Sequence, residues 1–377
     1  MEFDALWLLL GLPVAFALGW IASRLDLRQL RIENRQAPKA YFRGLNFLLN
    51  EQQDQAIDAF IEAVRNDPDT SELHFALGNL FRRRGEYERA VRVHEHLLSR
   101  GDLSRVERHR AQHALALDFL KAGLLDRAEE ALRKLDGTEH EPEALLALLS
   151  IYERTRDWPQ ATQIARKLDA SGEGSIAIRL AHYLCEQAAQ APNETAERLV
   201  REAMQLAPTA ARPALELAAL QRRSGDHRAS LDTLIQHAGA VPTAMGLIAG
   251  PLAESAQASS QAARAARVLQ ESQANQPSLD VLDALVTLEP DPAAKRALYM
   301  RHLEREPSLV AATRWMAGER LENEESHPLL QRALDHAAKP LTRYRCAACG
   351  FEANRHFWHC PGCQAWDSYP ARRVEEL

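Results

Sequence analysis

A repeat of 34 residues constrains this chain more than any other feature. Gly44 recurs as Gly78, Phe47 as Phe81 and Ala56 as Ala90. The first unit reads Gly44-x-x-Phe47, then Ala56-x-x-x-Phe60, Ala63 and Pro68; the second reads Leu77-Gly78-x-x-Phe81, then Ala90. The alanine continues at Ala128, Ala161, Ala196 and Ala229, at spacings of 38, 33, 35 and 33. Gly85, Gly123, Asp157 and Gly225 supply turn residues four or five places before these alanines. A unit of this length is one helix pair. A helix pair cannot bury its apolar face alone, so stacking must bury it. The composition agrees: 46% apolar, 26% charged and only 6% aromatic is the balance of a folded, helix-rich chain.

The pattern resembles the tetratricopeptide repeat, in which small residues sit where two helices cross and aromatics fill the gaps between pairs. Leu115-Ala116-x-x-Phe119 with Ala128, and Leu148-Leu149-x-x-Tyr152 with Ala161, extend it to a third and fourth unit. From about Val241 to Lys339 the helical patterning is interrupted by Pro251, Pro277, Pro290, Pro292, Pro307 and Pro328, and no register emerges. Such arrays bind peptide or protein on a concave face. Repeat geometry points Tyr41, Asn79, Arg82, Arg83, His113 and Lys121 toward that face, as candidate partner-binding residues.

A different solvent is indicated at the start. Ala5 to Ala22 is 18 residues without a charged side chain. As a helix it spans about 27 Å, near the bilayer's hydrocarbon thickness. Trp7 and Trp20 stand near its ends, where indoles favour the interface. The preceding Met-Glu-Phe-Asp carries no basic residue, which argues against a cleaved signal. Arg24, Arg28, Arg31, Arg35 and Lys39 follow the span, so the bulk of the chain is expected on the cytoplasmic side. Gly11, Ala15 and Gly19 share one face, a candidate contact for another transmembrane helix from a partner or a second copy.

Chemistry is concentrated at residues 344–369. Cys346-x-x-Cys349-Gly350 is followed, ten residues on, by Cys360-Pro361-x-Cys363. Two such turns present four thiolates to one metal ion, iron or zinc. Four protein ligands leave no open position, so the expected role is structural. His356 and His359 lie nearby but are not needed as ligands. Six aromatics in this stretch exceed what so small a domain can bury, so it should pack on the array's end, over residues 241–339. The fifth cysteine, Cys185, lies in an apolar helical stretch and reads as core. Gly172-x-Gly174-x-x-Ala177 matches a phosphate-binding form, but no strand precedes it. There is no P-loop and no nucleophile elbow, so no enzyme is expected. The net charge is −6, and residues 341–377 hold five arginines against four acids. That is too little positive charge for nucleic acid.

A membrane span, a basic flank, tetratricopeptide repeats and a terminal Cys-x-x-Cys pair together resemble the lipopolysaccharide assembly protein B family. The implied architecture is all-α: a tetratricopeptide-repeat superhelix with an N-terminal transmembrane helix and a small rubredoxin-like four-cysteine domain. The expected divisions are a transmembrane anchor at 1–23, a basic juxtamembrane linker at 24–36, the array at 37–339 and the metal domain at 340–377. The resemblance implies a non-enzymatic adaptor in the bacterial inner membrane. Its implied partners are the membrane-anchored protease FtsH, the deacetylase committing carbon to lipid A, other lipopolysaccharide assembly proteins and a membrane regulator. A rubredoxin-like redox protein and a nucleic-acid-binding zinc ribbon are the alternatives.

Overall fold

The computed structural model describes residues 15–20, 39–170, 176–319 and 327–377. Most of the expected anchor, including Gly11, lies outside the described residues. Residues 15–20 are helical and exposed, and nothing lies within 4 Å of where a Gly19 side chain would begin. Among the described residues, no helix is long and apolar enough to cross a membrane.

The chain divides into two compact units, residues 1–155 and 156–377. The first contains α1 (39–49), α2 (Gln53–Asn66), α3 (Ser71–Arg83), α4 (Tyr87–Ser99), α5 (Arg105–Ala122), α6 (Leu125–Arg133) and α7 (Glu141–Thr155). The repeat positions behave as close-approach points. A Cβ on Gly44 would stand 2.8 Å from the Phe60 ring, and one on Gly78 would stand 2.5 Å from the His94 ring. Ala56, Ala63, Ala90 and Ala128 are wholly buried. Guanidinium groups cover three buried aromatics: Arg89 over Phe81 at 4.0 Å, Arg110 over Phe75 at 4.1 Å and Arg127 over Phe119 at 4.2 Å. These contacts add cation–π attraction to the stacking. Helix α5 starts with a capping box between Ser104 and Glu107 and ends at Gly123 in the left-handed region.

Joints between successive helices demand that left-handed residue repeatedly. Gly85, Gly123 and Gly225 supply it without strain. Glu51, Arg156 and Ser260 occupy the same region with side chains attached (φ 58°, 59° and 56°), at a cost of about 1 kcal/mol each.

The second unit continues with α8 (Trp158–Ala170), α9 (Ala177–Gln190), α10 (Asn193–Leu206), α11 (Ala211–Arg223) and α12 (His227–Ala240). Next come α13 (Met245–Ala258), α14 (Ala262–Asn275), α15 (Leu279–Leu288), α16 (Pro292–Leu303), α17 (Leu309–Met316) and α18 (His327–Ala338). Two expectations are corrected here. At the sixth repeated position the wholly buried residue is Ser230, not Ala229; its hydroxyl meets Ser255 at 2.9 Å. Pro251 lies inside α13 rather than ending a helix. Its carbonyl accepts from Arg222 and from the Ser255 hydroxyl. The remaining prolines fall between helices or in first turns: Pro292 opens α16, behind an Asp291 cap that accepts from Ala293 and Ala294.

Beyond α18, the backbone forms a two-residue antiparallel pair, β1 (Tyr344–Arg345) and β2 (Glu352–Ala353), an isolated bridge between His359 and Trp366, and a short 3-10 helix at Val374–Glu376. The sheet positions the first cysteine turn.

Candidate metal centre

The two cysteine turns face each other. All four sulfurs lie within 4.8 Å of one another. Cys346 and Cys363 are 3.8 Å apart, as are Cys349 and Cys360. Metal–sulfur bonds of about 2.3 Å in a tetrahedron require sulfur–sulfur edges of about 3.8 Å. The spacing therefore fits one ion, and the four cysteines could hold one metal. Gly350 makes the first turn possible with a left-handed φ of 77°.

The turns also aim backbone amides at the sulfurs. Burial raises a thiol's pKa, but the Ser368 hydroxyl and the amides of Cys349 and Ala348 outweigh it at Cys346, which is pushed down to about 6. At Cys360 the amides of Cys363 and Gly362 likewise overcome burial and lower the pKa. Cys349 and Cys363 move up despite the amides of Phe351 and Ala365, because desolvation and the neighbouring sulfurs oppose further negative charge. A bound cation supplies the charge that relieves this crowding. His356 is engaged elsewhere, with Nε2 3.0 Å from the Tyr369 carbonyl. His359 stacks on Trp366, ring centres 4.4 Å apart.

The centre is fastened to the helices on two sides, a wider footing than the sequence suggests. On one side Trp366 enters a cage of Trp158, His182 and Tyr183 from α8 and α9. His182 is buried, and its Nε2 lies 2.7 Å from Asp367. On the other side, residues 373–376 bind helix N-termini. Arg373 forms hydrogen bonds of 2.6–3.2 Å to Asp280 in the first turn of α15, and lies 4.1 Å over the Tyr344 ring. Glu376 accepts from the Leu279 amide at 2.7 Å. Glu375 accepts from the Ser308 hydroxyl at 2.7 Å and from the amides of Leu309 and Val310 at 2.6 and 3.2 Å. Two carboxylates thus cap α15 and α17, where free amides and helix dipoles favour negative charge. Between the two sides, the Ala371 carbonyl sits where a side chain on Gly246 of α13 would begin. Only the aromatic content of the segment hinted at this docking. The caps come from residues that nothing in the local sequence links to α15 or α17.

The candidate partner-binding residues have mixed surroundings. Arg82 reaches Asp118 at 2.8 Å and the Ala114 carbonyl at 3.1 Å, and also bonds Asn79. Asp118 is wholly buried and also binds His94 Nδ1. Arg82 and Asn79 therefore already serve a polar network inside the first unit, one the sequence reading missed. Tyr41 is half-buried, edge-on to Phe60 and Phe42. His113 stacks on His140 at 4.9 Å, and burial lowers its pKa. Arg83 and Lys121 are exposed. Cys185 is buried and its thiol is pushed up to about 12 by desolvation, the state of an unreactive core thiol.

Comparison with known proteins follows the same division. The rubredoxin metal binding domain family matches residues 344–369, and the tetratricopeptide repeat family matches residues 73–106. Lipopolysaccharide assembly protein B of Escherichia coli strain K12 is 30% identical over 386 aligned positions, covering 98% of this chain and 99% of that protein. The Haemophilus influenzae protein of the same name is 31% identical, covering 96% of each chain. The chain belongs to the lipopolysaccharide assembly protein B family. Among solved structures, a tetratricopeptide repeat protein from Parabacteroides merdae is 16% identical, with a TM-score of 0.36, covering 67% of this chain and 99% of that one. The family's two sequence hallmarks, repeats and paired cysteines, meet physically in this chain where α8, α9, α13, α15 and α17 receive the metal domain.

Proposed function

We propose that the chain is a non-enzymatic adaptor of the bacterial inner membrane that restrains lipopolysaccharide synthesis. In this reading residues 1–23 anchor it and 24–36 form a basic linker. Residues 37–339 are the partner-binding array, and 340–377 form a domain in which Cys346, Cys349, Cys360 and Cys363 hold a structural metal. The bulk of the chain lies on the cytoplasmic side. It brings the FtsH protease together with the lipid A-committing deacetylase and promotes the deacetylase's degradation. It also scaffolds other lipopolysaccharide assembly proteins, under control of a membrane regulator. Holding two partners at one membrane site raises their effective concentration without catalysis by the holder.

The observation that carries this reading is the match to relatives named lipopolysaccharide assembly protein B over 98% of the chain. A four-sulfur site without an open ligand position adds support. The test is the half-life of the deacetylase in cells with and without this protein, and with a variant lacking residues 1–22. The expected result is a longer half-life in the absence of the protein and in the truncated variant. An unchanged half-life overturns the reading.

A second reading, electron transfer of the rubredoxin kind, draws support from the exposure of Cys349 and Cys363, which brings the centre to the surface. It requires bound iron and a reversible visible-absorption change; bound zinc dismisses it.

A further inference from the structure

A trough of about 620 Å³ opens between α8 and α10 over a floor from α9. Arg166, Lys167 and Arg198 border it against one carboxylate, Glu202. This is a local excess of positive charge on a chain whose net charge is −6. Arg166 and Glu202 bridge the trough at 2.6 Å, with side chains 55% and 39% exposed. A bridge so exposed is worth at most about 1 kcal/mol and yields readily to a competing carboxylate. Arg198 is exposed and has no ion-pair partner among the described residues. Leu199 and Pro159 supply accessible apolar surface within the same trough, over the buried Leu184. The chemistry is therefore that of an apolar anchor flanked by carboxylate receptors, open enough to admit a chain segment.

We propose that this trough docks an acidic, leucine-containing segment of a partner protein. Carboxylates of the segment meet Arg198 and Arg166, and a leucine rests on Leu199 and Pro159. The proposal rests on the adaptor reading above and names one surface through which it works. Its lining residues all belong to the second unit and include none of the candidate partner-binding residues. Glu202 acts as an internal competitor that occupies Arg166 until the segment arrives.

The experiment uses the full chain in detergent and a fluorescein-labelled peptide of repeating Glu-Leu-Asp-Glu-Leu, read by anisotropy at low salt. Binding by the parent protein is expected. The Arg166→Glu/Arg198→Glu double variant should bind at least about tenfold more weakly, equivalent to about 1.4 kcal/mol. Glu202→Ala should bind a few-fold more tightly, because the internal competitor is gone. Opposite shifts from two variants with unchanged helical signal and metal content separate docking from misfolding. No binding by the parent, equal binding by parent and double variant, or equal binding of a peptide with lysines for its acids overturns the proposal. So does binding of phosphatidylglycerol vesicles through Arg166 and Arg198 with no peptide binding. The deacetylase half-life is read independently, so failure of the trough leaves the adaptor reading standing, and the reverse.

Discussion

In the helical array the buried residues are overwhelmingly small or aliphatic. Ala56, Ala90, Ala161, Ala218 and Ala265 are wholly buried where helices cross. In residues 340–377 only Tyr344, Cys346, Cys360 and Tyr369 are buried, and two of these four are candidate metal ligands. The array is held by contacts that each pair makes with its neighbours, so its stability is distributed. The metal domain has two strands of two residues and almost no apolar interior, so its order must come from the helices beneath it and from the metal that its four cysteines could hold. Damage to the array should stay with the helix pairs it touches, whereas the metal domain depends as a whole on one cluster of side chains.

The largest effect should come from removing the metal. Cys346→Ser, or chelation of the purified chain, should unfold residues 344–369 and release the Glu375 and Glu376 caps. Structural metal sites contribute on the order of 10 kcal/mol to folding. Limited proteolysis should then show new cleavage over 241–339 while the first unit keeps its pattern. An unchanged pattern over 241–339 would break the contrast. Phe60→Ala should cost about 3–5 kcal/mol, because its ring is wholly buried against Gly44. Denaturant titration should assign that loss to the first unit, with metal content unaffected.

Glu375→Ala leaves the Ser308 hydroxyl and two amides of α17 without their acceptor. We expect a loss of about 0.5–2 kcal/mol, in the range of a lost helix cap. Hydrogen exchange should rise at α17 before α9. Acidification should act next. His74, His113, His237 and His302 are each held below the ordinary imidazole pKa, chiefly by burial. A depressed imidazole pKa means the folded chain favours the neutral ring. That stability is complete above the unfolded value near 6.5 and is lost as pH falls below it. In a Cys346→Ser background, where metal-linked thiolate protonation no longer contributes, His74 and His113 stay buried in the first unit, and its melting temperature should drop by a few degrees between about pH 7.5 and 5.5. A flat profile would contradict the burial of these rings. The smallest effect is a gain: Ser260→Gly relieves a left-handed backbone at φ 56°, and should add up to about 1 kcal/mol in the same titration.

What could be read in advance followed how local the cause was. Gly44, Gly78 and the alanines mark crossings between helices close in sequence, so their spacing is visible as a period. The four cysteines satisfy one ion within 18 residues, and their geometry follows from two turns. The register after Val241 was hidden because Ser230 takes the small position of the sixth unit and meets Ser255 of α13, and because Pro251 lies inside α13, where a proline ordinarily marks a boundary. His94, Asp118 and Arg82 are separated by up to 36 residues, as measured from Arg82 to Asp118, and each alone looks like an ordinary surface residue. The His182–Asp367 contact spans 185 residues; no local pattern announces it.

The capping of α15 and α17 by Glu376 and Glu375 has a consequence for biogenesis. A ribosome makes both helices well before it makes the residues that finish them. The nascent array therefore emerges with two unsealed helix starts, and these close only after the cysteine turns have been translated and have folded. A metal held by the four cysteines would then set when α15 and α17 mature, and a cell starved of that metal would accumulate chains whose first unit is finished while these two helix starts stay open to proteases.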